Sequence, residues 1–469
     1  MSKIILRSGQ IILPHSTIVG DILIDREQIA GITAPGVVEW PDAREIDASD
    51  CLVMPGVVDA HTHIQLDTGV FKTDDNWEIG TKSAAFGGVT AVVDFATQFE
   101  GMTFRAALDA RLEECKLAVI DYGLHMMVTD LARDLDQAFE DLSELRNMGV
   151  PSIKLYTTYR PNYYADDATI LHTLRALPGD MIAMFHCEND AIISDATARL
   201  VEAGDIGWRF HGEARPTEAE TEAAMRVLSL ADIAEANVYI VHCSVAETAR
   251  QIRQLRPLLS HSHRVYFETC IQYLTLDESA YDGDKPYHYI LQPPLRSAEN
   301  FAPLFSFIED RSIAVLSTDH CDYSLAQKTE KDDFRTTPGG LPGLETLLPL
   351  TYTLFRQHHP YDDMLNHMVE VLCTNPAKIF GLYPRKGVIQ PGSDADLVIY
   401  DPAPDVEIRQ ANLHTIGGYN PYEGMTVHGR VRTTISRGEV IVEDGEFVGD
   451  AGRGQFLPGL PFHPLEAHQ

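Results

Sequence analysis

The strongest constraint on the fold is a regular alternation of apolar, strand-like segments with helical segments between residues 52 and 318. Strands that alternate with helices pair in parallel, and eight of them close into a (β/α)8 barrel. The candidate strands are 52–61, 90–96, 122–128, 152–156, 181–186, 237–242, 265–269 and 313–318. Because such barrels carry their active sites where the strands end, polar residues at those positions are the most informative ones.

The two ends of the chain have a different pattern. Residues 1–51 and 385–449 hold short β-like segments separated by turn residues, as in small antiparallel units. We therefore expect an α/β protein in which both chain ends build one small β-sandwich domain beside a barrel over 52–384. The tail, 450–469, is rich in glycine and proline, and we expect it to be either loose or an arm that packs on another subunit.

Charge and cysteine content narrow the classes of function. The 469-residue chain has a formal net charge of −32 and no compensating basic cluster, which argues against nucleic acid or an anionic membrane as a partner. It has no run of ~20 apolar residues and no pattern of a signal peptide, so we expect a cytoplasmic protein. Seven cysteines, an odd number without Cys-x-x-Cys spacing, favour reduced thiols in the core over disulfides or thiolate metal sites.

Residue types that bind metals stand at the ends of several predicted strands. His61 and His63 are two positions apart, so in a strand both imidazoles point the same way. The other members of this set are Lys154, His186, His242 and Asp319. Any one of them could be structural, but together four histidines and one aspartate can hold two divalent cations, and imidazoles suit zinc.

Lys154 is the unusual member of the set, because an ammonium group between two cations would be repelled. A neutral Lys154 amine that reacts with CO₂ becomes a carbamate, which is an anion with two oxygen atoms. Such a group could bridge both cations. This step is a chemical inference and is not a pattern in the sequence.

Several motifs occur in order along nearly the whole chain. Gly-x-x-Asp-x-His-x-His covers 56–63, His-Cys-Glu-Asn-Asp covers 186–190 and Ser-Thr-Asp-His covers 317–320. The others are 74–81, 87–90, 240–244, 268–274, 293–296 and 375–382, together with Tyr159 five residues after Lys154. These motifs resemble those of the cyclic amidohydrolases, and dihydropyrimidinase and D-hydantoinase are the most similar types.

The resemblance implies a hydrolase with a centre of two metal ions. The implied ligands are His61, His63 and Asp319 on one ion and His186 and His242 on the other, with carboxylated Lys154 and a hydroxide between them. Asp319 would take a proton from the hydroxide and pass it to the leaving ring nitrogen, while Tyr159 would donate its phenol to the developing oxyanion. The substrate would be a cyclic amide or imide, either a dihydropyrimidine or a 5-substituted hydantoin, and the product an N-carbamoyl amino acid. A homodimer or homotetramer is implied as well.

The residues expected to bind the substrate are Tyr159, Gln292, Gly339, Leu66 and Tyr156. Two of them depart from the family pattern, because Pro338-Gly339-Gly340 replaces the usual Pro-Asn-Gly and Gln292 replaces the usual serine. We expect Gly339 to leave room and to remove one polar contact with the ring, so that Gly339→Asn would shift selectivity toward dihydrouracil. The exact substrate stays open at this point.

Two loops are expected to receive the substituent of the ring. They follow the first and fourth strands and hold apolar or aromatic side chains, namely Leu66, Val70, Phe71, Tyr156 and Tyr163. Loops at strand ends set the specificity of barrel enzymes, so these side chains favour a hydrophobic ring substituent over the polar ureido group of allantoin.

Three other functions compete with this interpretation. A dihydroorotase would carry an arginine just after the His-x-His motif, where this chain has Ile64 and Gln65. An allantoinase shares the metal ligands but usually lacks the tyrosine found here as Tyr159. A scaffold protein of the same fold would be non-catalytic, and the intact ligand set argues against it.

Four further histidines are predicted to lie outside the ligand set. His261 and His263 precede the seventh strand, so we expect them on the surface at the opposite end of the barrel. His125 lies inside the third strand and is expected to be a core residue with satisfied hydrogen bonds. His320 follows Asp319 and is expected to point away from the metals and to support their ligands.

Overall fold

The computed structural model describes residues 3–260, 264–358 and 363–465. The chain begins with five strands that belong to a mixed sheet rather than to the barrel. They are β1 Lys3–Leu13, β2 Ser16–Asp25, β3 Gln28–Thr33, β4 Arg44–Asp47 and β5 Leu52–Pro55. Antiparallel pairing joins β1, β2 and β3, while β4 and β5 both run parallel to β1.

Eight parallel strands then form the barrel, which confirms the predicted fold. These strands are β6 Val57–Thr62, β7 Val89–Thr97, β8 Asp121–Met127, β9 Ser152–Tyr156, β10 Ile182–His186, β11 Val238–Ile240, β12 Val265–Cys270 and β13 Val315–Ser317. They neighbour one another in chain order. The His63 N–H donates to the His320 carbonyl at 2.7 Å, so the segment after β13 meets the end of β6 and brings the two edges together.

Four strands near the end of the chain complete the mixed sheet. They are β14 Leu397–Glu407, β15 Thr426–Ser436, β16 Glu439–Glu443 and β17 Glu446–Phe447. Strand β5 lies between β1 and β14, where Val53 pairs with Ile11 on one side and with Ile399 on the other. Both chain ends therefore share one continuous sheet of nine strands.

The predicted first barrel strand, 52–61, is two strands, and the prediction of one continuous strand is wrong. Leu52–Pro55 belongs to the mixed sheet, and only Val57–Thr62 belongs to the barrel. Gly56 separates them and packs against Thr90 so closely that a β-carbon would lie 1.9 Å from the threonine hydroxyl oxygen. A residue without a side chain is required where the chain passes from one sheet to the other.

The helices lie between the strands and cover the barrel. They are α1 Trp77–Phe86, α2 Phe104–Glu114, α3 Leu135–Asn147, α4 Asp167–Ala176, α5 Asp190–Ala203, α6 His211–Ala214, α7 Thr217–Ala234, α8 Ala246–Leu255, α9 Phe301–Glu309, α10 Leu325–Lys328, α11 Leu347–His358, α12 Met364–Val369 and α13 Asn375–Ile379. Several begin at an oxygen-bearing side chain that accepts a backbone N–H, as Asn76 does for α1 and Asp134 for α3. Within the described ranges, none of the helices combines the length and the apolar character that crossing a bilayer would require.

The tail packs on its own barrel as far as Leu465, where the described part of the chain ends. Leu457 and Phe462 join the buried cluster inside the barrel. The Leu457 N–H donates to the Tyr122 carbonyl at 2.7 Å, and the Leu465 N–H donates to the Tyr266 hydroxyl at 2.8 Å. Because Tyr122 and Tyr266 stand near the starts of β8 and β12, the tail covers the amino-terminal ends of the strands. Of the two expectations for this segment, a loose tail is wrong for the described residues, and an arm that packs on another subunit stays a prediction.

His125 is a satisfied core residue, as predicted. It is fully buried, with Nδ1 lying 2.5 Å from the Ser152 hydroxyl and Nε2 lying 3.0 Å from the Ala60 carbonyl oxygen. The prediction for His261 and His263 concerns residues outside the described ranges.

Candidate metal centre and substrate pocket

Three of the predicted ligands meet at one point beyond the barrel strands. His61 is the last residue but one of β6, and His63 follows the strand. Their Nε2 atoms each lie 3.2 Å from Oδ1 of Asp319, which follows β13. The three side chains form a group whose ligand atoms lie within 4.8 Å of one another, a spacing that suits one metal ion.

The other two histidines meet beside this group. His186 ends β10, and His242 stands two residues after β11. Nδ1 of His186 lies 2.8 Å from Nε2 of His242, and the rings of His242 and His61 stack with centroids 5.5 Å apart. The structure therefore brings the predicted histidine pairs to adjacent positions at the carboxyl ends of the strands.

Lys154 points into the space between the two groups. It lies on β9, is 1% exposed, and its Nζ is 3.2 Å from Nε2 of His61. Its Nζ makes no ion pair within 4.0 Å in the part of the chain that the structure describes. Burial lowers the pKa of Lys154 to about 8, although the nearby charges of Asp319 and Glu268 oppose this shift.

Two buried glutamates fix the orientation of the imidazoles. Nδ1 of His61 lies 2.5 Å from Oε1 of Glu268, whose other oxygen accepts the Tyr239 hydroxyl at 2.7 Å. Nε2 of His186 lies 2.7 Å from Oε2 of Glu188. A ring nitrogen beside a carboxylate carries the proton, so the opposite nitrogen presents its lone pair to the centre.

These side-chain positions are more favourable with a bound cation than without one. Nε2 of His61 lies 3.2 Å from Oδ1 of Asp319 and 3.2 Å from Nζ of Lys154, so an imidazole lone pair and a carboxylate face each other beside one amine. Burial holds the pKa of His61 well below the usual range, which favours a neutral imidazole with a lone pair free for a cation. Burial alone would raise the pKa of Asp319, but its polar neighbours, His63 and Lys154 among them, lower it, so the carboxylate is charged. The residues present therefore fit a divalent cation.

Three residues of the site have backbone conformations that side chains rarely adopt. The φ angles of Asp319, His242 and Tyr159 are 52°, 38° and 72°. Left-handed backbone at residues other than glycine costs free energy, about 1–3 kcal/mol each, and is typical of functional sites. This feature aims the three side chains inward at the end of their strands, and no pattern in the sequence indicates it.

Supporting residues were the part of the site that the sequence analysis missed. Glu188 and Glu268 stood in the quoted motifs without an assigned role, and Glu188 could have been found from its position two residues after His186. Arg215 had no sequence signal at all, yet its Nε donates to Oε1 of Glu188 at 3.0 Å. Burial alone would raise the pKa of Glu188, but Arg215 and His186 hold it well below the usual range, so this carboxylate is charged.

His320 points away from the centre, as expected. Its Nε2 lies 3.0 Å from Oδ2 of Asp75, and its Nδ1 accepts the Gly343 N–H at 3.1 Å. These contacts fix the segment that carries Asp319. Cys187 and Cys243 are buried in the core beside their histidines, and the seven cysteines are all free thiols.

A cavity of about 540 Å³ opens above the candidate ligands. All five residues predicted to bind the substrate line it: Leu66, Tyr156, Tyr159, Gln292 and Gly339. Val70, Phe71 and Tyr163, from the loops predicted to receive a ring substituent, line it as well. The cavity is large enough for a small cyclic compound with one side group.

Tyr159 stands at the wall nearest the second histidine pair. Its ring centroid is 4.9 Å from that of His186, and the Arg215 guanidinium lies 5.5 Å from the ring. Burial raises the pKa of Tyr159 well above its usual value, so the phenol keeps its proton and can donate a hydrogen bond. Tyr159 lines the same cavity as the candidate metal ligands.

The expectation that Gly339 leaves room in the pocket is wrong. A β-carbon on Gly339 would lie 1.8 Å from Oε1 and 2.3 Å from Cδ of Gln292. The side-chain amide of Gln292 thus occupies the space that a side chain at position 339 would need. The two departures from the family pattern are physically connected.

Comparisons with known proteins agree with this geometry. A family model described as "Amidohydrolase family" matches residues 52–441. The chain is 36% identical to a D-phenylhydantoinase of Escherichia coli O1:K1 / APEC over 98% of this chain and 99% of the relative, and 35% identical to a D-hydantoinase of Streptomyces coelicolor over 97% and 98%. The crystal structure of a dihydropyrimidinase from Brevibacillus agri has a TM-score of 0.94 and 34% identity, and the match covers 99% of this chain and 100% of that one. On the evidence of its barrel and these matches, the chain belongs to the amidohydrolase family.

Proposed function

We propose that this protein hydrolyses the ring amide bond of 5-substituted hydantoins or dihydropyrimidines and releases N-carbamoyl amino acids. The observation that carries the proposal is the convergence of four histidines, Lys154 and Asp319 at the floor of one cavity. Relatives named D-phenylhydantoinase, D-hydantoinase and dihydropyrimidinase support the same class of reaction.

The proposed cofactor is a pair of divalent cations, with zinc favoured by the imidazole ligands. His61, His63 and Asp319 would hold one ion, and His186 and His242 the other. When bound, two such cations lower the pKa of the attacking water and polarise the carbonyl under attack.

Carboxylation of Lys154 is part of the proposal. Burial lowers the pKa of Lys154, which favours the neutral amine, and a neutral amine is the form that reacts with CO₂. The resulting carbamate would put a negative charge at a buried position where Nζ lies 3.2 Å from Nε2 of His61 and makes no ion pair within 4.0 Å in the described ranges. This anion would compensate the charge of the two cations.

Asp319 is proposed to move the proton of the reaction. Oδ1 faces His61 and His63, so Oδ2 is the oxygen that can accept the proton from the attacking water. The protonated carboxyl group then delivers it to the ring nitrogen that leaves. Tyr159 donates its phenol to the oxygen that gains negative charge, which stabilises the transition state.

The pocket walls favour an apolar ring substituent. Val70, Phe71 and Tyr163 line the cavity on the side of the predicted loops, and such side chains bind hydrocarbon or aromatic groups better than the ureido group of allantoin. We also propose a homo-oligomer, dimer or tetramer, and a cytoplasmic location; the free state of all seven cysteines supports the location.

Ring opening and metal content test the proposal together. The purified protein is assayed with dihydrouracil, a 5-substituted hydantoin and allantoin, and its bound metal is counted. We expect turnover of the hydantoin and dihydrouracil and about two ions per chain. Turnover of allantoin alone would favour an allantoinase, and the absence of both metal and turnover would favour a non-catalytic scaffold.

A further inference from the structure

Two segments of the pocket wall are held together by direct hydrogen bonds. One carries Gln292 and the other carries Gly339. The Gly340 N–H donates to the Ile290 carbonyl at 3.0 Å, which connects the residue after Gly339 to the irregular segment before Gln292. The relative position of these two segments is therefore set by the backbone and does not depend on the Gln292 side chain.

A buried lysine reinforces this connection from behind. Nζ of Lys328 donates to the Ile290 carbonyl at 2.9 Å and to the Pro338 carbonyl at 3.2 Å. Lys328 is fully buried, so both contacts are shielded from water. One side chain thus joins both segments within two residues of Gln292 and Gly339.

The Gln292 amide lies where a side chain at position 339 would begin. A β-carbon on Gly339 would be 1.8 Å from Oε1, 2.3 Å from Cδ and 2.5 Å from Nε2 of Gln292. Gly339 is not among the residues with a left-handed backbone, so its conformation would accept a side chain. The glycine is required by the neighbouring amide and not by the backbone.

The same amide has no partner in the protein. Within the described ranges, neither Oε1 nor Nε2 of Gln292 makes a hydrogen bond to another residue, although the residue is half-buried. Both Gln292 and Gly339 line the cavity above the metal ligands. Neither amide atom of Gln292 is among the fully buried polar atoms without a partner, so solvent reaches the amide and a ligand that enters the cavity can bind it.

The chemistry of the amide indicates which part of a ligand it can bind. A carboxamide presents one acceptor and two donor hydrogens and carries no charge. Its complement is a neutral group that also presents a donor beside an acceptor, such as the NH–C=O edge of a cyclic ureide or imide. A carboxylate or phosphate would instead be matched by arginine or lysine.

We propose that Gln292 determines the ring specificity of this pocket by pairing its side-chain amide with the NH–C=O edge of the substrate, and that Gly339 is needed because it leaves that amide its place. The inference rests on the proposed function and adds the residue that recognises the ring. It predicts that substitution at one of the two positions raises KM and that a matched substitution at the other position restores it.

The first test removes the amide or displaces it. Gln292→Met keeps the length of the side chain but offers no comparable hydrogen bond, and Gly339→Ala pushes the amide aside. Both variants should raise KM about tenfold, with kcat changed much less, because one or two neutral hydrogen bonds to the ring are lost. The rise should be equal for dihydrouracil and for a 5-substituted hydantoin, since both rings carry the same edge.

A neighbouring glycine provides the matched control. A β-carbon on Gly340 would lie 2.6 Å from Cβ and 2.8 Å from the carbonyl oxygen of Cys321, which cannot move as the end of a flexible side chain can. Gly340→Ala should therefore lower Tm, whereas Gly339→Ala should leave Tm unchanged and alter only KM. A fall of Tm in Gly339→Ala comparable to that in Gly340→Ala would overturn the inference.

The second test moves the amide to the opposite wall. Gln292→Ser and Gly339→Asn should each raise KM, the first by removing the amide and the second by making two amides compete for one space. The double variant should recover to within a few fold of the wild type, because Asn at 339 then fills the vacated position. Independent, multiplying losses in the double variant would contradict the proposal.

The outcomes separate this inference from the proposed function. If the metal-loaded wild type opens no cyclic amide or imide ring, both fail. If it opens such rings and Gln292→Met keeps the wild-type KM for both substrates, only the inference about Gln292 fails. Metal content and Tm of each variant show that the protein is folded and loaded.

Discussion

Two lysines are buried at opposite ends of the same barrel, and each is 1% exposed. Lys386, near the start of β8, pairs with Asp121 and Asp396 at 2.7 Å and with Asp394 at 3.0 Å. Burial would lower the pKa of Lys386, but the three carboxylates raise it above the usual value. Lys154, near the end of β9, has no such partners in the described ranges, and burial lowers its pKa to about 8.

The difference separates the stabilising end of the barrel from the reactive end. At the amino-terminal end the charges are paired and the tail covers the opening, which favours a single rigid structure. The carboxyl end has three unfavourable features: a lysine without an ion pair in the described ranges, lone pairs that face each other, and left-handed backbone. Each of them costs stability in the isolated chain. Such costs are tolerated where a metal or substrate later supplies the missing partner.

Replacing the lysine of the reactive end should have the largest effect. Lys154→Ala removes the group that we propose to bridge the cations, so we expect loss of at least one metal ion per chain and no measurable turnover. Metal analysis and a ring-opening assay check this, and added short carboxylic acids should restore part of the activity. A variant with unchanged metal stoichiometry would contradict the assignment of Lys154.

Replacing the lysine of the stabilising end should act on folding instead. Lys386→Met leaves Asp121, Asp394 and Asp396 with Arg437 and Arg385 as the remaining cations, and uncompensated buried charge costs about 3–5 kcal/mol of unfolding free energy. Denaturant unfolding measures this loss. The folded fraction should keep its metal ions and its kcat, and a loss of kcat without a loss of stability would remove the contrast between the two ends.

The third prediction concerns the donor beside the metal ligands. Tyr159→Phe should lower kcat by roughly 10²–10³, the usual loss for one donor to an oxyanion, while both cations remain bound and Tm is preserved. Steady-state kinetics and metal analysis measure the effect. A nearly normal kcat would mean that the cations carry the developing charge without the phenol.

The smallest effect is expected from replacing a residue that orients a proposed metal ligand. Glu188→Gln keeps the size of the side chain but weakens the hold on His186 and leaves Arg215 without its charged partner. Loss of such support typically weakens metal binding about 10–100-fold. Titration with a competing chelator measures the change, and Glu222→Gln, at an exposed position on α7, is the matched control. Equal metal affinity in both variants would show that Glu188 has no such role.

The sequence predicted the features that follow from the periodicity of strands and from the position of residues at strand ends. Strand alternation placed His61, His63, Lys154, His186 and Asp319 at one end of a barrel, because the ends of parallel strands must meet there. The start of the first barrel strand could not be predicted, since an apolar run gives no sign that Gly56 divides it between two sheets. That division depends on the contact with Thr90, which is distant in sequence.

Other features depend on contacts that no local pattern records. The backbone strain at Tyr159 and His242 is imposed by the surrounding structure rather than by residue type. The relation between Gln292 and Gly339 joins two loops separated along the chain, and a single sequence gives no measure of their distance. The tail composition indicated an irregular segment correctly but not the surface that it covers.

The place of β5 in the mixed sheet has a consequence for synthesis on the ribosome. Val53 pairs with Ile399, a residue made roughly 350 positions later. At about 5–20 residues per second, the first strands wait roughly 20–70 s with one edge unpaired, which exposes them to wrong partners. The time between synthesis of the first strands and synthesis of β14 should set how strongly the newly made protein depends on chaperones. Slower translation of the barrel should therefore lower the soluble yield of the protein.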